Sequence, residues 1–230
     1  MKLLTPPIPL ILILLMPSCE KTAEHEKPGL LTVSEELKAA DTPILPVKRG
    51  DFWKYKVSIE IPPGIIYEGS AAEKVESKKT RRFLGKIEVS EDHPPVDTFE
   101  VVVPGEPIQH ELVEILDNKL MILGTFSPET LGAKPLWLDP PLPFVVAGVR
   151  GGQRLQGMRI VGREDVVVPA GKYSAIRILM TSDGGQIETR RTTWFAPHIG
   201  IVKEEMMRYV GAKLIFRETS ELQETSVKSQ

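Results

Sequence analysis

One cysteine occurs in 230 residues, at position 19, so no intrachain disulfide can brace this chain. Histidine is as sparse: the four residues at 25, 93, 110 and 198 stand apart, and none has a partner at metal-ligand spacing. There is no G-x-S-x-G elbow and no H-E-x-x-H. The glycines at 148, 151 and 152 are not followed by Lys-Ser or Lys-Thr, which removes the phosphate-loop reading. Adjacent carboxylates occur at Glu91-Asp92 and Glu204-Glu205, but neighbours on a strand point to opposite faces and cannot share a substrate. The chain is therefore expected not to be an enzyme, with no catalytic residue, cofactor or metal ligand assigned. A net charge of −2 lacks the basic excess of a nucleic-acid binder. The longest apolar stretch near the start falls far short of the ~20 residues that span a bilayer.

What the start does contain is an address. Met1-Lys2 is followed by the short apolar core LILILLM at 10–16, then by Pro17, Ser18 and Cys19, with no acidic residue before Glu20. A core of this length reads as a signal peptide. The ending MPSC resembles the lipobox of bacterial lipoproteins, with Met16 in place of the usual Leu and Pro17 in the middle position. The resemblance implies cleavage before Cys19 and diacylation of its thiol, which would hold the protein stably on a membrane. Plain secretion with a free thiol is the other reading. Glu20 is not the Asp that marks inner-membrane retention, so the outer membrane facing the periplasm is favoured. The expected organisation is a signal peptide at 1–18, a lipidated N-terminus and tether at 19–48, a β domain at 49–222 and a disordered tail at 223–230. As a flexible coil the tether would average about 30 Å. Thr32 and Glu35 have capping-box spacing for a short helix inside it, and His25 between two glutamates reads as solvated.

The rest of the chain is written in strands. DFWKYKVSIEI at 51–61 alternates strictly: Trp53, Tyr55, Val57, Ile59 and Ile61 on one face, Lys54, Lys56, Ser58 and Glu60 on the other. One face then packs on a core and the other meets water, as in an antiparallel sheet. Residues 78–90 alternate again, with Phe83, Gly85, Ile87 and Val89 opposed to Arg82, Lys86 and Glu88. The basic cluster Lys78, Lys79, Arg81, Arg82 reads as a solvated hairpin end. Residues 98–105 form a short strand, and 107–124 a hairpin about Asp117-Asn118. PLWLDPPLPFVV at 135–146 is apolar but too rich in proline for a central strand, and is expected as an irregular lid that covers the open side of a barrel or lines its mouth. From 153 a meander runs to the end, bent at Gly162 and turned by PAG at 169–171, SDGG at 182–185, APHIG at 196–200 and Gly211. Gly171 is expected at positive φ. The fold class is mainly β: a single curved antiparallel sheet, half-barrel or open barrel, with little helix.

Three stretches carry a wider resemblance. VKRGDFWKYKV, VPAGKYSAIRI and TTWFAPHIGIVKEE are similar to a group of bacterial envelope lipoproteins with a G-x-x-W-x-Y first strand, a PAG-[FY] turn and a TWYAPGVG-type turn. Gly50, Trp53 and Tyr55 match the first, Pro169, Ala170, Gly171 and Tyr173 the second, and Thr193, Trp194, Ala196, Pro197 and Gly200 the third. Phe195 stands for Tyr, and His198 replaces the usual glycine. The layout resembles the half-barrels of the lipoprotein carriers LolA and LolB. It implies a concave sheet that holds a lipid or other apolar ligand, with Trp53, Tyr55, Val57, Trp137, Phe144 and Trp194 as the expected apolar face. The alternative is a structural or accessory lipoprotein that binds an envelope protein partner.

Overall fold

Alternation in the sequence becomes alternation in burial along the first strand. The computed structural model describes residues 44–228, without 67–68, 117–118, 130–133, 147–153 and 156–157. The signal peptide, Cys19, the tether as far as residue 43 and the Asp117-Asn118 turn therefore lie outside the described residues. β1 (Phe52–Ile61) buries Trp53, Tyr55 and Val57 and exposes Lys54 between them. Eleven strands follow: β2 (Glu73–Ile87), β3 (Val96–Val102), β4 (Gln109–Leu116), β5 (Lys119–Phe126), β6 (Leu136–Val146), β7 (Arg154–Leu155), β8 (Met158–Val168), β9 (Gly171–Asp183), β10 (Ile187–Ala196), β11 (Gly200–Val210) and β12 (Lys213–Thr225). Among the described residues there is no helix.

The strands form one antiparallel sheet in the order β6-β5-β4-β3-β2-β1-β12-β11-β10-β9-β8-β7. Every pairing joins neighbours in sequence except that of β1 with β12, which stitches the first hairpins to the last. The sheet is open, with β6 and β7 as its two edges. The proline-rich stretch expected as an irregular lid is instead paired with β5 as strand β6, and an edge suits it because Pro140, Pro141 and Pro143 offer no N–H to a further strand.

The sheet is also strongly curved. Ala170, in the turn between β8 and β9, donates its N–H to the Leu222 carbonyl of β12 at 2.9 Å. On a flat sheet those strands would stand about 14 Å apart, at roughly 4.8 Å per neighbour. Curling gathers one continuous core from both wings, including Trp53, Phe83, Phe99, Val113 and Leu120 on one side and Met158, Ile160, Ile178 and Phe195 on the other. Trp53 stands edge-on to Phe99 at 5.6 Å between centroids and donates its indole N–H to the Ile199 carbonyl at 2.6 Å.

Three local features depart from the sequence reading. The polar segment expected to reach residue 48 gives way earlier, since Ile44 and Leu45 are 3% and 1% exposed. The Ile44 carbonyl accepts the His198 N–H at 2.9 Å, so these two residues plug the end of the sheet where β10 turns into β11. At the other terminus β12 runs to Thr225 and Val227 packs on the core, so order extends past residue 222. In β2 a bulge at Leu84 breaks the alternation, so Phe83 and Gly85 do not share a face. The bend at Gly162 is present as a bulge between Ile160 and Gly162, and Gly171 has the expected positive φ of 136°.

Candidate functional site

Cross-strand partners share a face, so the register maps the concave side row by row. The lowest row is sealed: Tyr55 and Leu222 are 2% and 0% exposed. The next crosses the sheet as Ser77, Val57, Ser220, Glu204, Thr193, Ile178 and Ile160. The row above reads Val75, Ile59, Glu218, Met206, Arg191, Met180 and Met158. Burial falls along this progression on β1, β2, β10 and β11, while Met158 at the β8 end of the upper row stays 2% exposed. Val75, Ile187 and Val210, all on this face, are 50%, 42% and 47% exposed. The concave face thus has a sealed half, at the end plugged by Ile44 and Leu45, and a mouth, uncovered among the described residues, at the tips of the β1–β2, β9–β10 and β11–β12 hairpins.

From the sealed half to the border of the mouth runs a belt of charge. Lys79 donates to Glu204 Oε2 at 3.3 Å, Arg191 Nε stands 3.8 Å from Glu204 Oε1, and the Thr193 hydroxyl is 3.4 Å from the same oxygen. Arg81 grips Glu111 through Nη2 at 2.6 Å and Nε at 2.8 Å, with its guanidinium 3.8 Å from the centre of the Phe99 ring. The reading of Lys79 and Arg81 as a solvated hairpin end is thereby corrected. Both side chains point inward from β2 and are largely buried, because the curl of the sheet brings β4 and β11 over them.

Electrostatics keep this belt ionised. Burial alone pushes the Glu204 carboxyl up, but Lys79, Arg191 and Arg81 together outweigh it, and the group sits below its ordinary value. Burial drives the Tyr55 phenol far above its ordinary range, against the opposing pull of Arg81, so it stays protonated and donates to the Ile201 carbonyl at 3.0 Å. Burial lowers His110, which lies beside Phe126 on β5 with ring centroids 6.0 Å apart. Ser220, 1% exposed and cross-strand from Glu204, has a hydroxyl with no hydrogen-bond partner.

The mouth is apolar with two arginines. Ile59, Met206 and Phe216 are half-buried there beside Val75, Ile187 and Val210. The Arg208 guanidinium lies 5.2 Å from the Phe216 ring and makes no ion pair among the described residues. Arg191 is the diagonal neighbour of Arg208 on the same face, since Thr189 pairs with Arg208 and Arg191 with Met206.

Of the six residues expected to form an apolar face, Trp53, Tyr55 and Val57 come together, but as sealed core at 1%, 2% and 3% exposure. Trp194 lies on the opposite face. It pairs with Arg177 and Lys203, donates its indole N–H to Glu164, and belongs to an outer ladder that continues through Lys203–Glu221. Trp137 also falls on the outer side by register, opposite Gly124, with His93 packed edge-on at 4.3 Å. Phe144 is in β6, and its side chain lies outside the described residues. The belt and the mouth were missed, although period two placed Glu204 and Met206 on the face of buried Val202. Glu205, as expected, points the other way, where Arg217 lies 3.5 Å from it.

Among the described residues no three His, Cys, Asp or Glu side chains stand together to hold a metal ion. No helix among them is long and apolar enough to cross a membrane, which says nothing of strands. No protein-family model and no curated protein sequence matches the chain. Two solved structures share part of the layout. One is a candidate lipoprotein from Parabacteroides distasonis, with a TM-score of 0.48 and 12% identity over 80% of this chain and 99% of that one. The other is a candidate exported protein with a YmcC-like fold from Bacteroides fragilis, with a TM-score of 0.47 and 14% identity over the same shares of the two chains.

Proposed function

We propose that this chain is a lipid-anchored envelope lipoprotein, held through Cys19 on the periplasmic side of the outer membrane, that binds an apolar ligand without catalysis. The observation that carries the binding role is the uncovered mouth. Val75, Ile187 and Val210 stand exposed on the concave face of a sheet that buries its other half completely. Exposed large apolar side chains gathered on one concave surface mark a binding surface more often than chance. The lipobox resemblance at Met16–Cys19 supports the anchor.

Two measurements test this reading. Cys19→Ala should move the protein from the membrane to the soluble fraction or stall its processing; full maturation and membrane retention of that variant would sink the anchor. Native mass spectrometry of protein taken from its own envelope, with displacement of an apolar fluorescent probe, tests the ligand. Absence of both a co-purifying amphiphile and saturable probe binding would leave the accessory reading. That second reading is favoured by one observation of its own: Leu136 and Leu138 on edge strand β6 are 68% and 38% exposed, as a protein partner's contact would be. Crosslinking from position 136 in the envelope would capture such a partner.

A further inference from the structure

Resting on the mouth as an apolar-ligand site, we infer that its ligand is an anionic amphiphile, with the acidic headgroup held between Arg191 and Arg208 and the chain laid over Ile59, Met206 and Phe216. Arg208 is exposed, aimed along the concave face, and stacked on Phe216 at 5.2 Å with no carboxylate partner among the described residues. Arg191 is bound only loosely, its Nε 3.8 Å from Glu204, and its side chain is 42% exposed. Glu204 is shared with Lys79, so either cation can release it while the other holds it. Two arginines on diagonal neighbours of one face, one without an ion pair among the described residues and one loosely paired, offer guanidinium donors to a carboxylate or phosphate group. They sit at the border between the ion belt and the apolar mouth, where the junction of head and tail of such a ligand would fall. Ser220 Oγ, buried and without a partner one row below, is a further donor beneath the same site. Glu218 is the carboxylate of the mouth row, and it makes no ion pair with either arginine; it disfavours a headgroup carried toward β1 and so fixes the head at β10 and β11.

The experiment uses the full chain carrying Cys19→Ala, titrated by calorimetry below the micellar concentration with oleate, with the uncharged lipid monoolein and with inorganic phosphate. Oleate should bind about tenfold or more tightly than the neutral lipid, a difference of one charge-assisted pair. Arg208→Gln should erase that preference by weakening oleate far more than the neutral lipid, and Arg208→Lys should restore part of it. Because Arg208 is exposed, a thermal melt should show both variants folded. Equal binding of oleate and the neutral lipid, or a preference that survives Arg208→Gln, would overturn the headgroup assignment while leaving the apolar site standing. Phosphate binding as tightly as oleate would overturn it in favour of a small-anion site. No binding of any amphiphile would remove the apolar-ligand reading itself.

Discussion

The two halves of the concave face are built from the same strands, yet one is closed to water and the other is not. In the sealed half residues of one wing meet residues of the other, as Trp53 meets the Ile199 carbonyl and Ala170 the Leu222 carbonyl. In the mouth the same strands run on past the reach of the opposite wing, so Ile59, Met206 and Phe216 have cover on one side only. What separates them is partnership across the curl and not apolar content. Stability should therefore live in the sealed half and ligand contact in the mouth, a division that substitutions can break.

The largest effect should come from Trp53→Ala, which empties a fully buried site and orphans the Ile199 carbonyl, at about 3–5 kcal/mol. Phe216→Ala in the mouth should cost about 1 kcal/mol, since the ring is only partly buried. Chemical denaturation that returned equal losses for the two would end the distinction. Next in size is Gly200→Val. Gly200 has φ +105°, and a Cβ there would stand 3.3 Å from Trp53 Nε1 and 3.4 Å from Leu45 Cδ1. Strain and overpacking should together cost about 3 kcal/mol. Gly211 in the mouth has φ +57° and open space around it, so Gly211→Asn should change the melting temperature little.

The belt of charge has a pH signature. Glu204 is depressed in the fold, so it stabilises the protein above the unfolded carboxyl value of about 4.3, and that contribution is lost as pH falls through its lower folded value. Glu204→Gln should cost about 2 kcal/mol at neutral pH, the scale of hydrogen bonds to a charged group. The gap between variant and parent should narrow in strong acid, where the parent carboxyl is protonated too. A gap that stays constant from neutral to strongly acidic pH would show that the belt is not ionised as described. The smallest effect is expected at His198, which has φ 66° in a turn whose relatives by resemblance carry glycine. His198→Gly should keep the backbone bond to Ile44 and raise stability by a few tenths of a kcal/mol. A clear loss would mean that the imidazole itself supports the plug.

Legibility followed the range of the interaction. The alternation of β1, the bend at Gly162, the PAG and SDGG turns and the exclusion of the proline-rich stretch from a central position depend on a few adjacent residues, and all were readable; that this stretch pairs as edge strand β6 and is not an irregular cover was not. The bulge at Leu84 was not. It shifts register by one against β3, a decision made by the partner strand, and it undid the expected common face of Phe83 and Gly85. Lys79 and Arg81 look solvated when read beside Lys78 and Arg82. Only the approach of Glu204 and Glu111, 125 and 30 residues away, makes burial of those cations affordable. Trp194 illustrates the same limit, because its aromatic character says core while its register says outer face.

The sequence by itself determined that the chain forms antiparallel strands with one apolar face, where most of them turn, and that the proline-rich stretch is no central strand. These follow from side-chain period, glycine and proline, which act within a few residues. The tertiary structure alone decided how far the sheet curls, which rows meet across it, and therefore where the apolar face is sealed and where it stays open. Curl and cross-wing contact sum small twists over twelve paired strands, and no local stretch of sequence contains that sum.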